Sequence, residues 1–234
     1  MRSNERTGVL ARFRARRRRM NMKRTLTTIV LSLAALVILA SCGGKVRYPS
    51  YYTLNLPAPP DPPAAENVHA TLSVHEFRAP AYLRQGAIVY KTSPEQVGFY
   101  AYHRWAVDPR EFVTSSIIDR LRASGTFARV KAYDGRRDVD YVLSGRLEKL
   151  EELDYKGGVR VEVAMSAEMT SLATGATVWT NAVSEVGDVN KRDVAAVVSE
   201  MNRTMERAIK KLLSPIPADV ATGPTAAKER LDIR

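Results

Sequence analysis

One thiol, three imidazoles and a short acidic cluster are the side chains from which chemistry could be built. Cys42 is the only cysteine, which excludes an intramolecular disulfide framework and a cysteine-rich zinc site. His69, His75 and His103 form no metal pair, since His75-Glu76 lacks the second histidine of an H-E-x-x-H helix. Each reads as a surface or sheet-edge histidine. The chain has no G-x-S-x-G elbow, P-loop or G-x-G-x-x-G, and Gly157-Gly158 reads as a tight turn. Glu148, Glu151, Glu152 and Asp154 could supply paired carboxylates for acid–base work. No partner group at useful spacing accompanies them, so a solvated strand end is the expectation. These residues predict no catalytic site, no metal and no cofactor.

What remains is Cys42 itself. No charge occurs between Arg24 and Cys42, and residues 25–41 read TLTTIVLSLAALVILAS. A basic flank, an apolar run and a small-residue exit describe a secretory signal peptide over residues 1–41. The competing reading is a plain transmembrane anchor, but the run is short for a span and ends in small residues. The exit Leu39-Ala40-Ser41-Cys42 resembles the lipobox of bacterial lipoproteins, which implies lipidation of Cys42 as the first mature residue. Met20 and Met22 are the more usual starts for such a signal, so residues 1–21 read as sequence upstream of a mis-assigned start. Gly43 follows the cysteine where Asp would mark retention at the inner membrane. The lipoprotein resemblance therefore implies the periplasmic side of the outer membrane.

The charge supports this division. The chain of 234 residues has a net charge of +11, which alone would suggest a nucleic-acid or anionic-membrane binder. Residues 1–41 hold ten of the 36 basic and one of the 25 acidic residues, leaving 26 against 24 and a net charge of +2 from Cys42 onward. A nucleic-acid partner is not expected.

The elements that would carry a site follow from periodicity. Residues 42–67 read as a lipidated tether with a first strand at Tyr51-Tyr52-Thr53-Leu54 and a stiff link at 57–63, where five of seven residues are proline. In this reading the link sets the stand-off from the membrane. A folded domain is expected over 68–213 and a disordered tail over 214–234. Within the domain, Ala70–Phe77 reads as a strand and Ala79–Leu83 as a turn or loop. Ala87–Lys91 and Gln96–Trp105 read as a hairpin. Asp108-Pro109-Arg110-Glu111 opens a helix, with Asp108 as N-cap, Glu111 completing a capping box and Gly125 as the stop. Strands are expected at Phe127–Ala132, Asp140–Asp154, Val159–Leu172 and Ala176–Glu185. A second helix spans Arg192–Leu213, with Val194, Val197, Val198, Met201, Met205, Ile209 and Leu212 on its apolar stripe. The fold class is α+β: a mostly antiparallel sheet with two helices packed on one face, the first helix forming a β–α–β crossover.

Aromatic residues concentrate where that sheet has its hairpin. Tyr82, Tyr90, Phe99, Tyr100, Tyr102 and Trp105 fall within 82–105. Strict alternation along Gln96–Trp105 puts Val97, Phe99, Ala101 and His103 on one face and Tyr100, Tyr102 and Arg104 on the other. The bland reading is a sheet covered on both faces. The sharper one is a partner-binding surface formed by Tyr100, Tyr102, Arg104 and Trp105, because Tyr, Trp and Arg are favoured at binding hot spots.

Leu83-Arg84-Gln85-Gly86-Ala87-Ile88-Val89-Tyr90 and Val97-Gly98-Phe99-Tyr100-Ala101-Tyr102-His103-Arg104-Trp105-Ala106 resemble the ABC-type transport auxiliary lipoprotein family (PqiC-like). So do Tyr51-Tyr52-Thr53-Leu54, Ala79–Leu83, Ser124-Gly125-Thr126-Phe127 and Thr174-Gly175-Ala176-Thr177-Val178-Trp179. The resemblance covers roughly 42–213, and its most specific part is the Y-x-Y-x-R-W-A block. It implies a small α/β sandwich and a non-enzymatic periplasmic subunit of a lipid-trafficking system. Such a subunit would contact an MCE-domain protein, as a monomer or homo-oligomer, and help pass phospholipid or other apolar cargo. The alternative function is an envelope-assembly lipoprotein that regulates cell-wall or lipopolysaccharide machinery.

Overall fold

The structure is a computed structural model that describes residues 32, 47–60, 68–155, 157–217 and 220. Cys42 and the rest of the expected signal peptide, apart from Ser32, lie outside the described residues, as do 61–67 of the proline-rich link. Residues from Tyr48 onward form one compact unit.

The unit is α+β, as its periodicity predicts. Eight strands form one sheet: β1 (Ser50–Tyr52), β2 (Thr71–Val74), β3 (Ala87–Lys91), β4 (Val97–Trp105), β5 (Arg129–Ala132), β6 (Tyr141–Tyr155), β7 (Gly158–Ser171) and β8 (Thr177–Asp188). Two helices, α1 (Pro109–Ala123) and α2 (Val194–Leu213), complete it. The long strand β6 organises the sheet. β7 runs antiparallel along one side of it, and β8 antiparallel beyond β7. On its other side β2 pairs with its start and β3 with its end, both parallel. β5 lies parallel to β2, β4 antiparallel to β3, and β1 parallel to β4. The long pairings are antiparallel hairpins, and their turns place Gly157 at φ +84° and Gly175 at φ +72°, a conformation open to glycine.

β7 shows why the sheet has a dry face. Val159, Val161, Val163, Met165 and Ala167 are buried and alternate with Arg160, Glu162, Ser166 and Glu168. The dry face receives both helices. The ring of Phe77 lies over Gly145, and the Phe77 N–H donates to Thr114 Oγ1 of α1 at 3.0 Å. Glu200 and Thr204 of α2 lie over Gly187. Arg120 and Glu206 approach to 3.9 Å and join the two helices. The buried stripe of α2 comprises Val197, Val198, Met201, Met205, Ala208, Ile209 and Leu212.

The helix starts are capped by side chains. Asp108 accepts from the Arg110 N–H at 2.9 Å and pairs with the Arg110 guanidinium at 2.7 Å, so Arg110 is the charged partner of this cap. Asp193 accepts from the Ala196 N–H at 2.8 Å. Gly125 follows α1 at φ +65°.

Several expectations are corrected. α1 does not close a β–α–β crossover: it joins β4 to β5, which run in opposite directions, and the parallel pairs arise elsewhere. Ala81–Gln85 is a 3-10 helix rather than an irregular loop. The domain begins before residue 68, because β1 pairs with β4 and Leu54 is buried in the core. The described part of the proline-rich link, 57–60, therefore follows a strand of the folded unit, and Pro59 and Pro60 line a hollow together with the ends of the two helices. Residues 214–217 and 220, expected in a disordered tail, pack on the unit instead. The Trp179 indole donates to the Pro215 carbonyl at 3.2 Å, and Ile216 and Val220 contact the core.

Candidate functional site

The aromatic hairpin and the acidic cluster meet at one end of the sheet. β3 is parallel to β6 with Val89 opposite Glu151, Tyr90 opposite Glu152 and Lys91 opposite Leu153. Adjacent strand residues face opposite ways, so Glu151 and Glu152 point to different faces. They are no carboxylate dyad. Both are nevertheless buried, at 1% and 4% exposure, which corrects the expected solvated strand end.

Each carboxylate has its own partners. Glu151 pairs with Lys91 at 3.1 Å and lies 3.4 Å from the Tyr82 hydroxyl, which sits in the 3-10 helix covering that face. Burial, with the Glu151 charge second, pushes the Tyr82 hydroxyl up to about 12. Glu152 accepts from the Tyr100 hydroxyl at 2.8 Å. Burial raises the pKa of Glu152 above the ordinary carboxylate range, and the Tyr100 hydrogen bond only partly opposes it. The Tyr100 hydroxyl is also raised, by burial first and by Glu152 second.

Tyr100 continues into an aromatic chain. Its ring lies 5.0 Å from Tyr90 and 5.6 Å from His103, edge-on to the latter. His103 stacks at 5.6 Å from Tyr52 of β1, and its Nδ1 is hydrogen-bonded to the Tyr52 hydroxyl at 3.0 Å. The Tyr90 ring fills the space over Gly98. Tyr100 and His103 share this cluster although strict alternation separates them. The reason is an irregularity in the ladder: Arg104 pairs with Ala87 but Phe99 with Val89, so β4 carries extra residues between these two pairs.

The four expected surface residues therefore separate. Trp105 is in the core at 6% exposure, and its backbone N–H donates to the Gly86 carbonyl. Arg104 donates to the Gln85 carbonyl at 2.7 Å and so buttresses the turn into β3. Tyr100 is half-buried on Glu152. Tyr102 projects outward at 46% exposure. Tyr48, Tyr51, Val97 and Phe99 are the other exposed large apolar residues of β1, β4 and the segment before them. Sequence reasoning missed Tyr48, Tyr51 and Phe99 as members of an outward aromatic edge. The signal was present in the tyrosines at 48, 51 and 52, but their place beside β4 is set by a pairing between residues 53 positions apart. This edge has the composition of a binding surface rather than of a reaction centre.

Among the described residues no helix is long and apolar enough to cross a membrane. No curated protein matches the chain. Among solved structures, the chain is similar to protein XCC0632 of Xanthomonas campestris at 17% identity and a TM-score of 0.61, covering 79% of this chain and 99% of that one. An uncharacterised protein matches at 16% identity and a TM-score of 0.53, over 70% and 95% of the two chains. PelC of Paraburkholderia phytofirmans, a dodecamer, matches at 19% identity and a TM-score of 0.38, over 65% and 95%. The first two show the fold. The model of the ABC-type transport auxiliary lipoprotein component family matches residues 52–212, from the end of β1 to the last turn of α2, and the chain belongs to that family.

Proposed function

We propose that the chain is the lipid-anchored, periplasm-facing auxiliary subunit of an MCE-type intermembrane lipid transport system, held at the outer membrane through Cys42. It is a non-catalytic subunit that docks an MCE-domain partner and helps pass phospholipid or other apolar cargo. The observation that carries this reading is the outward aromatic edge of Tyr51, Phe99 and Tyr102 on β1 and β4, with Tyr48 just before β1. Family membership supports the transport role.

In this reading the anchor has a short reach. β1 starts at Ser50, so the stand-off is set by residues 43–49 and not by the proline-rich link. Seven extended residues span at most about 25 Å. A partner that meets the β1–β4 edge would be gripped close to the lipid surface, with Tyr51 and Tyr102 as anchors and Tyr100, Arg104 and Trp105 holding β4 in shape behind them.

A photoreactive amino acid placed at Tyr102 or Tyr51 in living cells, followed by identification of the adducts, tests this. An adduct with an MCE-domain protein is expected at both positions and none from Lys210, on α2. Adducts with cell-wall or lipopolysaccharide machinery would support the envelope-assembly alternative instead.

A further inference from the structure

The face of the sheet opposite the helices carries an open groove of about 470 Å³. Its floor is built from two rows of side chains that cross the strands. One row runs Arg78, Arg146, Ser166, Ala182, through the parallel bridge of Arg78 to Arg146 and the antiparallel pairs beyond it. The next row runs Ser144, Glu168, Thr180. The rows are two residues apart along the strands, which is about 7 Å. Small residues in both rows leave the space concave.

Arg78 and Arg146 are direct cross-strand neighbours, fixed by the Arg78 N–H donating to the Gly145 carbonyl and the Leu147 N–H donating to the Arg78 carbonyl, at 2.9 and 2.8 Å. Like charges placed opposite each other destabilise a sheet. Two other cations on this face are matched: Lys149 pairs with Glu162 at 2.9 Å and Lys91 with Glu151 at 3.1 Å. Neither Arg78 nor Arg146 forms a salt bridge among the described residues, so both guanidinium forks are open. Glu148, outside the groove lining, accepts from the Ser166 hydroxyl at 2.7 Å. Glu168, also without a salt bridge among the described residues, stands one row from the arginines.

We propose that this groove binds a zwitterionic phosphoester, with its phosphate on Arg78 and Arg146 and its ammonium group on Glu168. Two adjacent guanidinium forks match the oxygens of a phosphate, and the Ser144 hydroxyl, two residues from Arg146 along β6, supplies a further donor. A carboxylate one row away would repel a simple dianion but attracts a cation carried on the same ligand. Phosphoethanolamine has this pattern of charge, whether free or as a lipid headgroup. Docking at the aromatic edge is not required for it, because the groove lies on a different part of the sheet.

The test is titration of the full chain in detergent with glycerophosphoethanolamine, dihexanoyl phosphatidylethanolamine and inorganic phosphate, read by calorimetry. Saturable binding of glycerophosphoethanolamine is expected, weakened at least tenfold in Arg78→Gln/Arg146→Gln. The control Lys191→Gln/Lys210→Gln removes the same charge away from the groove and should bind as the wild type does. Glu168→Gln should weaken glycerophosphoethanolamine and strengthen inorganic phosphate. Tighter binding of the dihexanoyl lipid than of the glycerol ester points to a lipid as source, and equal binding to a soluble phosphoester. Wild-type affinity in the double arginine variant with an unchanged melting temperature would overturn the site. An equal loss in the lysine control would also overturn it, and Glu168→Gln strengthening both ligands would overturn the ammonium contact.

Discussion

Tyr100 reaches from β4 to β6 and donates its hydroxyl to Glu152 at 2.8 Å. The pair joins the aromatic edge to the central strand, and it places an ionisable carboxyl where only 4% of the residue is exposed. Burial raises the pKa of that carboxyl in the folded state. Between the unfolded and the raised folded pKa, the folded protein binds more protons than the unfolded one, so stability falls as pH rises through this window. Glu152→Gln keeps an acceptor for Tyr100 and removes the charge. The variant should melt higher than the wild type at neutral pH, and the difference should shrink as pH falls below the ordinary carboxylate range. Tyr100→Phe should instead be destabilised by ~1–3 kcal/mol at neutral pH, because Glu152 loses its donor. Thermal denaturation across pH checks both; a Glu152→Gln protein less stable than wild type at every pH would contradict the account.

Gly145 is required by packing. A β-carbon there would overlap the Phe77 ring, whose residue is held by the backbone contact to Thr114 of α1. Gly145→Ala should cost ~1–3 kcal/mol, an overpacking penalty, in urea denaturation. Pairing it with Phe77→Leu should recover part of the loss, since the smaller side chain vacates the space.

The cap at Asp108 has two separable functions. Its carboxylate accepts from the Arg110 N–H and pairs with the Arg110 guanidinium. Burial opposes ionisation, but the Arg110 hydrogen bonds prevail and hold the carboxyl below its usual range. A lowered folded pKa contributes stability that is present above the unfolded pKa and is lost as pH falls through the folded one. Asp108→Ala should destabilise by ~1 kcal/mol at neutral pH. Asp108→Asn, which keeps the cap but not the charge, should lose less and should lack the acid-side dependence. Chemical denaturation at pH 7 and pH 3 measures the two contributions.

Cys42→Ala removes the proposed lipid attachment without touching any described residue. The variant should leave the membrane fraction and, if exported, appear in the soluble periplasm. Wild-type cells treated with globomycin should accumulate an uncleaved precursor. Membrane fractionation and gel mobility report the two effects; retention of the variant in the membrane with unchanged processing would count against lipidation.

Local chemistry was legible from the residues alone. The Asp108-Pro109 start and Gly125 stop of α1, the stripe of α2, and the β6–β7 hairpin with its alternation from Val159 to Ala167 all depend on neighbours within a few positions. Those signals sufficed for the α+β class, and the residues around the Y-x-Y-x-R-W-A block sufficed for the family. Long-range pairing decided the rest. Placing β1 beside β4 drew Leu54 into the core and put the start of the folded unit ahead of the proline-rich link. The irregularity between the Phe99 and Arg104 pairs moved Tyr100 away from Tyr102, because an odd number of extra residues in one strand reverses which face the next side chain takes. Glu151 and Glu152 are buried because β3, β4 and the 3-10 helix bring Lys91, Tyr100 and Tyr82 to them. Arg78 and Arg146, 68 positions apart, become neighbours only through a parallel bridge. A residue's own spacing determines its helix or strand, but whether its charge is matched or open depends on which distant strand comes to lie beside it.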